Sequence, residues 1–87
     1  MAVLYRVLIT KSAEKALKQV GKVDQRRIAA AIVALAVDPF PQGVKKLVGY
    51  DATYRIRVGN FRIIYDVDSA EVLITVLKVG QRKDIYR

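Results

Sequence analysis

Apolar and polar positions along this chain change their spacing twice, and each change marks a new kind of element. Residues 3–9, "VLYRVLI", alternate loosely and are rich in β-branched and aromatic side chains, which predicts a strand. The spacing then lengthens: Ala13, Ala16, Leu17 and Val20 recur at i, i+3, i+4 and i+7, the stripe of a short amphipathic helix. Ser12 stands where an N-cap belongs and Gly21 where such a helix ends, while Glu14, Lys15 and Lys18 fall on its polar face. A second stripe, Ile28, Ala31, Ile32 and Leu35, predicts another helix, capped by Asp24 and stopped at Asp38-Pro39. Two short helices joined by a tight turn make a helical hairpin. The Pro-rich "DPFPQG" that follows reads as a loop.

From Val44 onward the period becomes that of strands. Gly59-Asn60 separates "TYRIRV" from "FRIIYDV" as a two-residue hairpin turn of the kind that needs positive φ. "DSAE" then turns the chain into "VLITVLKV", which is apolar on both faces and therefore predicts a central strand. Gly80 closes that strand, and "QRKDIYR" follows as a basic tail. The resulting order is β-α-α-β-β-β. It predicts an α+β fold in which a two-helix hairpin packs on one face of a mainly antiparallel four-stranded sheet. At 87 residues the chain can build one modest core, so residues 1–87 are expected to form a single domain.

The hairpin turn fixes a register. With Gly59 and Asn60 in the loop, Val58 faces Phe61, Arg57 faces Arg62, Ile56 faces Ile63 and Tyr54 faces Tyr65. One face then holds Tyr54, Ile56, Val58, Phe61, Ile63 and Tyr65, the surface for the helices to cover; the other holds Arg55, Arg57 and Arg62. Arg57 opposite Arg62 costs ~0.2–1 kcal/mol in repulsion that the fold does not require, and an anion between them reverses the sign. Solvated arginines paired with Asp66 or Asp68 are the plainer reading of the same pattern. Pairing Val67 with Val72 across "DSAE" carries the register into the last strand. It places Tyr65 opposite Ile74, Ile63 opposite Val76 and Arg62 beside Leu77, with a bend at Gly80 bringing Arg82, Lys83 and Tyr86 to the arginine edge.

Composition narrows the chemistry. The chain carries 16 Lys and Arg against 8 Asp and Glu, a net charge of +8, with a pI near 10.1. A polyanionic partner follows: nucleic acid, an anionic membrane surface or an acidic protein. No uncharged stretch is long enough to span a bilayer, and the N-terminus shows no leader pattern, so the expected location is cytoplasmic. Cysteine and histidine are both absent, which excludes disulfides, thiolate nucleophiles, the usual zinc sites and histidine acid/base pairs. No cofactor or metal is expected. Arginine stays protonated, but its planar fork binds phosphate oxygens bidentately, and a cluster neutralises charge that builds on a phosphate under attack. Tyr86 can stack on a base. These are the parts for metal-free RNA cleavage by the ribose 2′-hydroxyl; the candidates for the base are Tyr86, Lys45, Lys46, Lys83 and Asp84.

The element order, with "KKLVG", "YRIRVGNFRIIYDV" and "VLKVGQRKDIYR", resembles the RelE-type toxins of toxin-antitoxin pairs, members of the RelE/ParE superfamily, over almost the whole chain. The resemblance implies a ribosome-dependent endoribonuclease that cuts messenger RNA in the ribosomal A site and inhibits translation. It implies phosphate and transition-state stabilisation by Arg62 and Arg82, positioning or proton transfer by Arg55 and Arg57, and base stacking or 2′-hydroxyl orientation by Tyr86. It also implies RNA contacts for Lys45, Lys46 and Lys83. The expected partners are the ribosome, messenger RNA and a cognate acidic antitoxin; the toxin is expected to be monomeric alone and hetero-oligomeric with the antitoxin. Two other functions are compatible with the same residues, a ParE-like DNA gyrase inhibitor and a non-enzymatic RNA-binding module.

Overall fold

A computed structural model describes residues 3–81. Strand β1 (Arg6–Ile9) leads into helices α1 (Lys11–Lys18) and α2 (Lys22–Leu35), and then come β2 (Lys45–Lys46), β3 (Thr53–Val58), β4 (Phe61–Asp68) and β5 (Leu73–Gln81). The sheet order is β1-β5-β4-β3-β2, with β1 parallel to β5 and the other pairs antiparallel. The α+β architecture is as expected, but the sheet has five strands and not four. The fifth, β2, is only two residues long and pairs with β3 at the edge; the expected strand from Val44 is reduced to this pair because Gly49, at φ +87, turns the chain soon afterwards.

The caps differ from the expected ones. Thr10, not Ser12, caps α1: its hydroxyl accepts the Ala13 N–H at 3.1 Å. The α2 cap position is Gly21, which puts Asp24 inside the first turn, where a carboxylate still favours the positive end of the helix. That helix ends at Leu35, three residues before the Asp38-Pro39 stop. Its predicted stripe is correct: Ile28, Ile32 and Leu35 are buried, with Ala31 half-buried. They meet Ile56 of β3, Phe61, Ile63, Tyr65 and Val67 of β4, and Ile74, Val76 and Val79 of β5. Each such side chain contributes roughly 1.5–3 kcal/mol when fully buried.

The hairpin register is the predicted one, from Val58↔Phe61 through Arg57↔Arg62 to Tyr54↔Tyr65. Gly59 takes φ +59 at the first loop position, the place where a type II′ turn requires glycine. The β4–β5 register is not the predicted one. Val67 pairs with Ile74, Tyr65 with Val76, Ile63 with Val79 and Arg62 with Gly80. The turn is displaced because Val72 lies in the left-handed region at φ 53, so it ends the turn and does not open the strand. The second cause is a bulge: Ile64 pairs with Lys78 but Tyr65 with Val76, which leaves Leu77 as an extra residue on β5. The bulge lets Val76 and Val79 both face the core. Thr10 holds it, since the Thr10 N–H donates to Val76 O at 3.0 Å and its hydroxyl to Leu77 O at 3.1 Å. Gly80 is thus inside the strand, opposite Arg62, and not at a closing bend.

Candidate functional site

The face of the sheet away from the helices carries the cations. Across the strands, one row reads Lys45, Arg55, Ile64, Lys78, and the adjoining row Arg57, Arg62, Gly80. Lys45, Arg55 and Arg57, with Gly43, line a cavity of about 360 Å³. Lys46 does not belong to it: pairing with Tyr54 turns it to the opposite face of the edge. Arg82, Lys83, Asp84 and Tyr86 lie outside the described residues.

Burial grades the arginines. Arg57 is exposed, Arg55 half-buried, and Arg62, at 4% exposure, is as buried as the core aliphatics. Its Nη1 lies 3.5 Å from the carbonyl of Phe61. The residue opposite on β5 is Gly80, which has no side chain to compete for space with the Arg62 guanidinium. Of the acidic residues nearby, Asp66 accepts from the Thr53 hydroxyl at 2.5 Å, and Asp68 Oδ1 accepts from the Glu71 N–H at 3.0 Å. Lys78 is the residue that sequence reasoning missed on this face. The bulge at Leu77 puts it opposite Ile64, and nothing in the local pattern announces a bulge.

The loop bordering the cavity is fixed from below. Phe40 meets Tyr54 edge-on with ring centres 5.0 Å apart, and the buried Tyr65 donates its hydroxyl to Pro39 O at 2.8 Å. Burial, helped by the negative charge of Asp38 and by Tyr54, pushes the Tyr65 phenol well above its ordinary range, so it stays a donor. Pro41 O then accepts the Val44 N–H at 3.1 Å, a turn that sets Gly43 beside Arg57. Permanently charged forks on a sheet are a chemistry that can bind anions.

Residues 7–86 match the ParE toxin family of the type II toxin-antitoxin system parDE. The chain belongs to the RelE/ParE toxin superfamily. Within it, the similarity is to RelE-type toxins. A putative toxin RelE1 of Methanocaldococcus jannaschii is 30% identical over 86 residues, covering 95% of this chain and 96% of the relative. Toxin RelE3 of the same organism is 34% identical over 85 residues, 93% of this chain and 94% of the relative. Among solved structures, the archaeal RelE–RelB complex of Pyrococcus horikoshii superposes with a TM-score of 0.83 at 34% identity, covering 94% of this chain and 99% of that one. The chain is thus a RelE-type toxin of a type II toxin-antitoxin system. No helix among the described residues is long and apolar enough to cross a membrane.

Proposed function

We propose that this RelE-type toxin is a ribosome-dependent endoribonuclease that cleaves messenger RNA in the A site and so stops translation in the cytoplasm. The observation that carries the reading is the convergence of Lys45, Arg55 and Arg57 on one cavity, with Arg62 directly across from Arg57. In the reaction the 2′-oxygen bonds to the adjacent phosphorus and the bond to the 5′-oxygen breaks. The products are a 2′,3′-cyclic phosphate and a 5′-hydroxyl; one proton leaves the 2′-hydroxyl and one reaches the leaving oxygen. Arg62 and Arg82 offset the charge on the phosphate oxygens as the fifth bond forms. Arg55 and Arg57 position the backbone, Lys45, Lys46 and Lys83 contact flanking RNA, and Tyr86 stacks on a base beside the reacting ribose. Arginines stay protonated, so proton transfer does not fall to them. Holding the 2′-hydroxyl in line with the leaving oxygen supplies much of the rate, which is why a ribosome that fixes the RNA is part of the proposal.

A cognate antitoxin fits the same surface. A chain of net charge +8 with an open sheet edge favours an acidic segment that folds on contact, and the similar Pyrococcus horikoshii toxin was solved as a RelE–RelB complex. We take this toxin to be monomeric alone and hetero-oligomeric with that partner. Primer extension on a ribosome programmed with messenger RNA tests the activity. Truncated transcripts ending in the A site are expected, and Arg62→Ala should lower the rate by about 10²–10³-fold. Intact transcripts at excess toxin reject the reading. The match to ParE toxins supports a second one, inhibition of DNA gyrase. A supercoiling assay on the same preparation separates the two.

A further inference from the structure

The cation cavity does not end at Arg57. Gly43 and Arg57 also line a second cleft of about 420 Å³, whose other lining residues are Ala31, Ala34 and Leu35 of α2, Asp38, Pro41 and Gln42 of the loop, and Ile56 of β3. The two spaces form one groove that rounds the edge of the sheet. The cause is the brevity of β2. Its pairing reaches Lys45↔Arg55, and the next partner of Arg57 in that register would be Gly43, where the chain is in a turn and not a strand. Gly43 has no side chain, takes φ +88, and a Cβ built on it would meet nothing within 4 Å, so the passage between the two spaces stays open.

The cleft has the character of a ring-binding slot. Ala31 and Ala34 give α2 a shallow wall, Pro41 and Gly43 give the loop a flat one, and the buried Leu35 and Ile56 close the bottom. The loop wall is preformed, because Phe40 against Tyr54, the Tyr65 hydroxyl on Pro39 O and the Val44 N–H on Pro41 O fix it. Its volume lies within the roughly 300–1,000 Å³ usual for small-ligand sites. The polar lining is Gln42, Arg57 and Asp38, and among the described residues Asp38 is engaged through Oδ1, which accepts the Phe40 N–H at 3.0 Å. An apolar protein side chain would leave those polar groups unused. A nucleotide uses both ends of the groove.

We propose that the cleft between α2 and the Pro41–Gly43 turn is a nucleobase pocket whose attached phosphate sits among Lys45, Arg55 and Arg57, and that it selects guanine. Guanine presents two parallel donors, N1–H and the N2 amino group, and a carboxylate accepts both. Adenine and cytosine set a ring acceptor beside their single amino group, and uracil flanks its one N–H with two acceptors, so each brings a lone pair against Asp38. The inference rests on the nuclease reading only for the source of the nucleotide.

Titration of the ¹⁵N-labelled full chain, followed by amide shifts, tests it with guanosine, adenosine, cytidine and uridine 5′-monophosphates and with inorganic phosphate alone. Phosphate should move the Lys45, Arg55 and Arg57 amides. Guanosine monophosphate should in addition move Ala31, Ala34 and Gly43, and bind about tenfold tighter than the adenosine compound. Asp38→Asn should erase that preference, and Ala34→Phe, at an exposed helical position, should erase the response of Ala31 and Gly43 while the spectrum remains dispersed. If that variant fails to fold, Asp38→Asn decides alone. The pocket is rejected if guanosine monophosphate moves only the amides that phosphate moves, or if Asp38→Asn leaves the order of the four nucleotides unaltered. Cleavage on the ribosome without a base-dependent shift rejects the pocket and keeps the nuclease; the shift without cleavage does the reverse.

Discussion

Replacing Arg57 by glutamine should make this protein more stable and less active. Among the described residues, Arg57 has three cationic neighbours on its face: Arg62 directly across the hairpin, Arg55 two residues back on the same strand, and Lys45 on the diagonal across β2. Diagonal and same-strand neighbours lie about 7–8 Å apart, where two unit charges in water repel by ~0.5 kcal/mol before screening. Arg62, directly opposite at about 5 Å, adds ~0.8 kcal/mol, so the three terms sum to ~2 kcal/mol, and a Debye length of ~10 Å at 0.1 M salt roughly halves them. The expected gain is therefore ~0.5–1 kcal/mol, since glutamine keeps most of the stem and loses only the charge. For a domain of this size that raises the melting temperature by about 2–8 °C.

Thermal unfolding followed by circular dichroism measures the effect, and salt supplies the control. The gain should be largest at about 0.01 M salt and should vanish near 1 M, where the Debye length falls to ~3 Å. Inorganic phosphate at matched ionic strength should stabilise the parent chain more than Arg57→Gln, because a ligand of the folded state adds stability in proportion to its binding. In primer extension the variant should cut ribosome-bound messenger RNA more slowly. A variant that melts no higher than the parent at low salt would refute the reasoning. So would a gain that survives 1 M salt, which would trace it to packing and not to charge.

Other positions give sharp expectations. Tyr65→Phe removes the hydroxyl from Pro39 O and should cost about 1 kcal/mol at neutral pH. Because the folded phenol holds its proton above pH 10.0 while the unfolded one releases it, the parent should lose about 1.4 kcal/mol of stability per pH unit above that point; the phenylalanine variant, compared by urea unfolding at pH 9 and 11, should lack this component. Thr10→Ala removes the α1 cap and the hydroxyl contact to the bulge together, and should cost about 1–2 kcal/mol in the same assay. Val72→Asn should stabilise by about 1 kcal/mol, since a β-branched residue at φ 53 is strained and asparagine tolerates that region; an unchanged midpoint would mean that the lost packing of the half-buried valine cancels the relief.

What the chain's pattern disclosed, and what it hid, follows from how local each determinant is. The Arg57↔Arg62 register was legible because a two-residue turn at Gly59-Asn60 leaves no freedom in how the flanking residues pair. The α2 stripe was legible because one face of a long helix must meet the sheet. The β4–β5 register was not. It depends on Val72 accepting a left-handed conformation, and on Leu77 bulging out where Thr10, far away in sequence, holds it. The identity of the cation face was therefore readable, with Arg55, Arg57 and Arg62 together, while Lys78 was lost to the bulge and the turn of Lys46 to the other face of the edge followed only from its pairing with Tyr54. The expected helix caps failed for a smaller reason: Thr10 and Ser12 are both competent, and only contact with β5 selects Thr10.

The gradient of burial across the cations bears on the proposed chemistry. β4 is buried on both sides: Ile63 and Tyr65 are wholly inaccessible on the helix face, and Arg62 and Ile64 are nearly so on the other. A guanidinium on that strand has few alternative positions. Electrostatic stabilisation of a transition state works in proportion to how little the stabilising charge must reorganise, so in the proposed reaction a strand buried on both sides suits the role given to Arg62. Lys45 and Arg57 sit instead on exposed positions toward the edge, where long side chains can follow a flexible backbone and draw it in from solution. The cost of gathering charge is borne at that edge, where repulsion is screened by water. The charge at the centre is held in the same packing that holds the fold together, which ties the proposed activity to the integrity of the core beneath it.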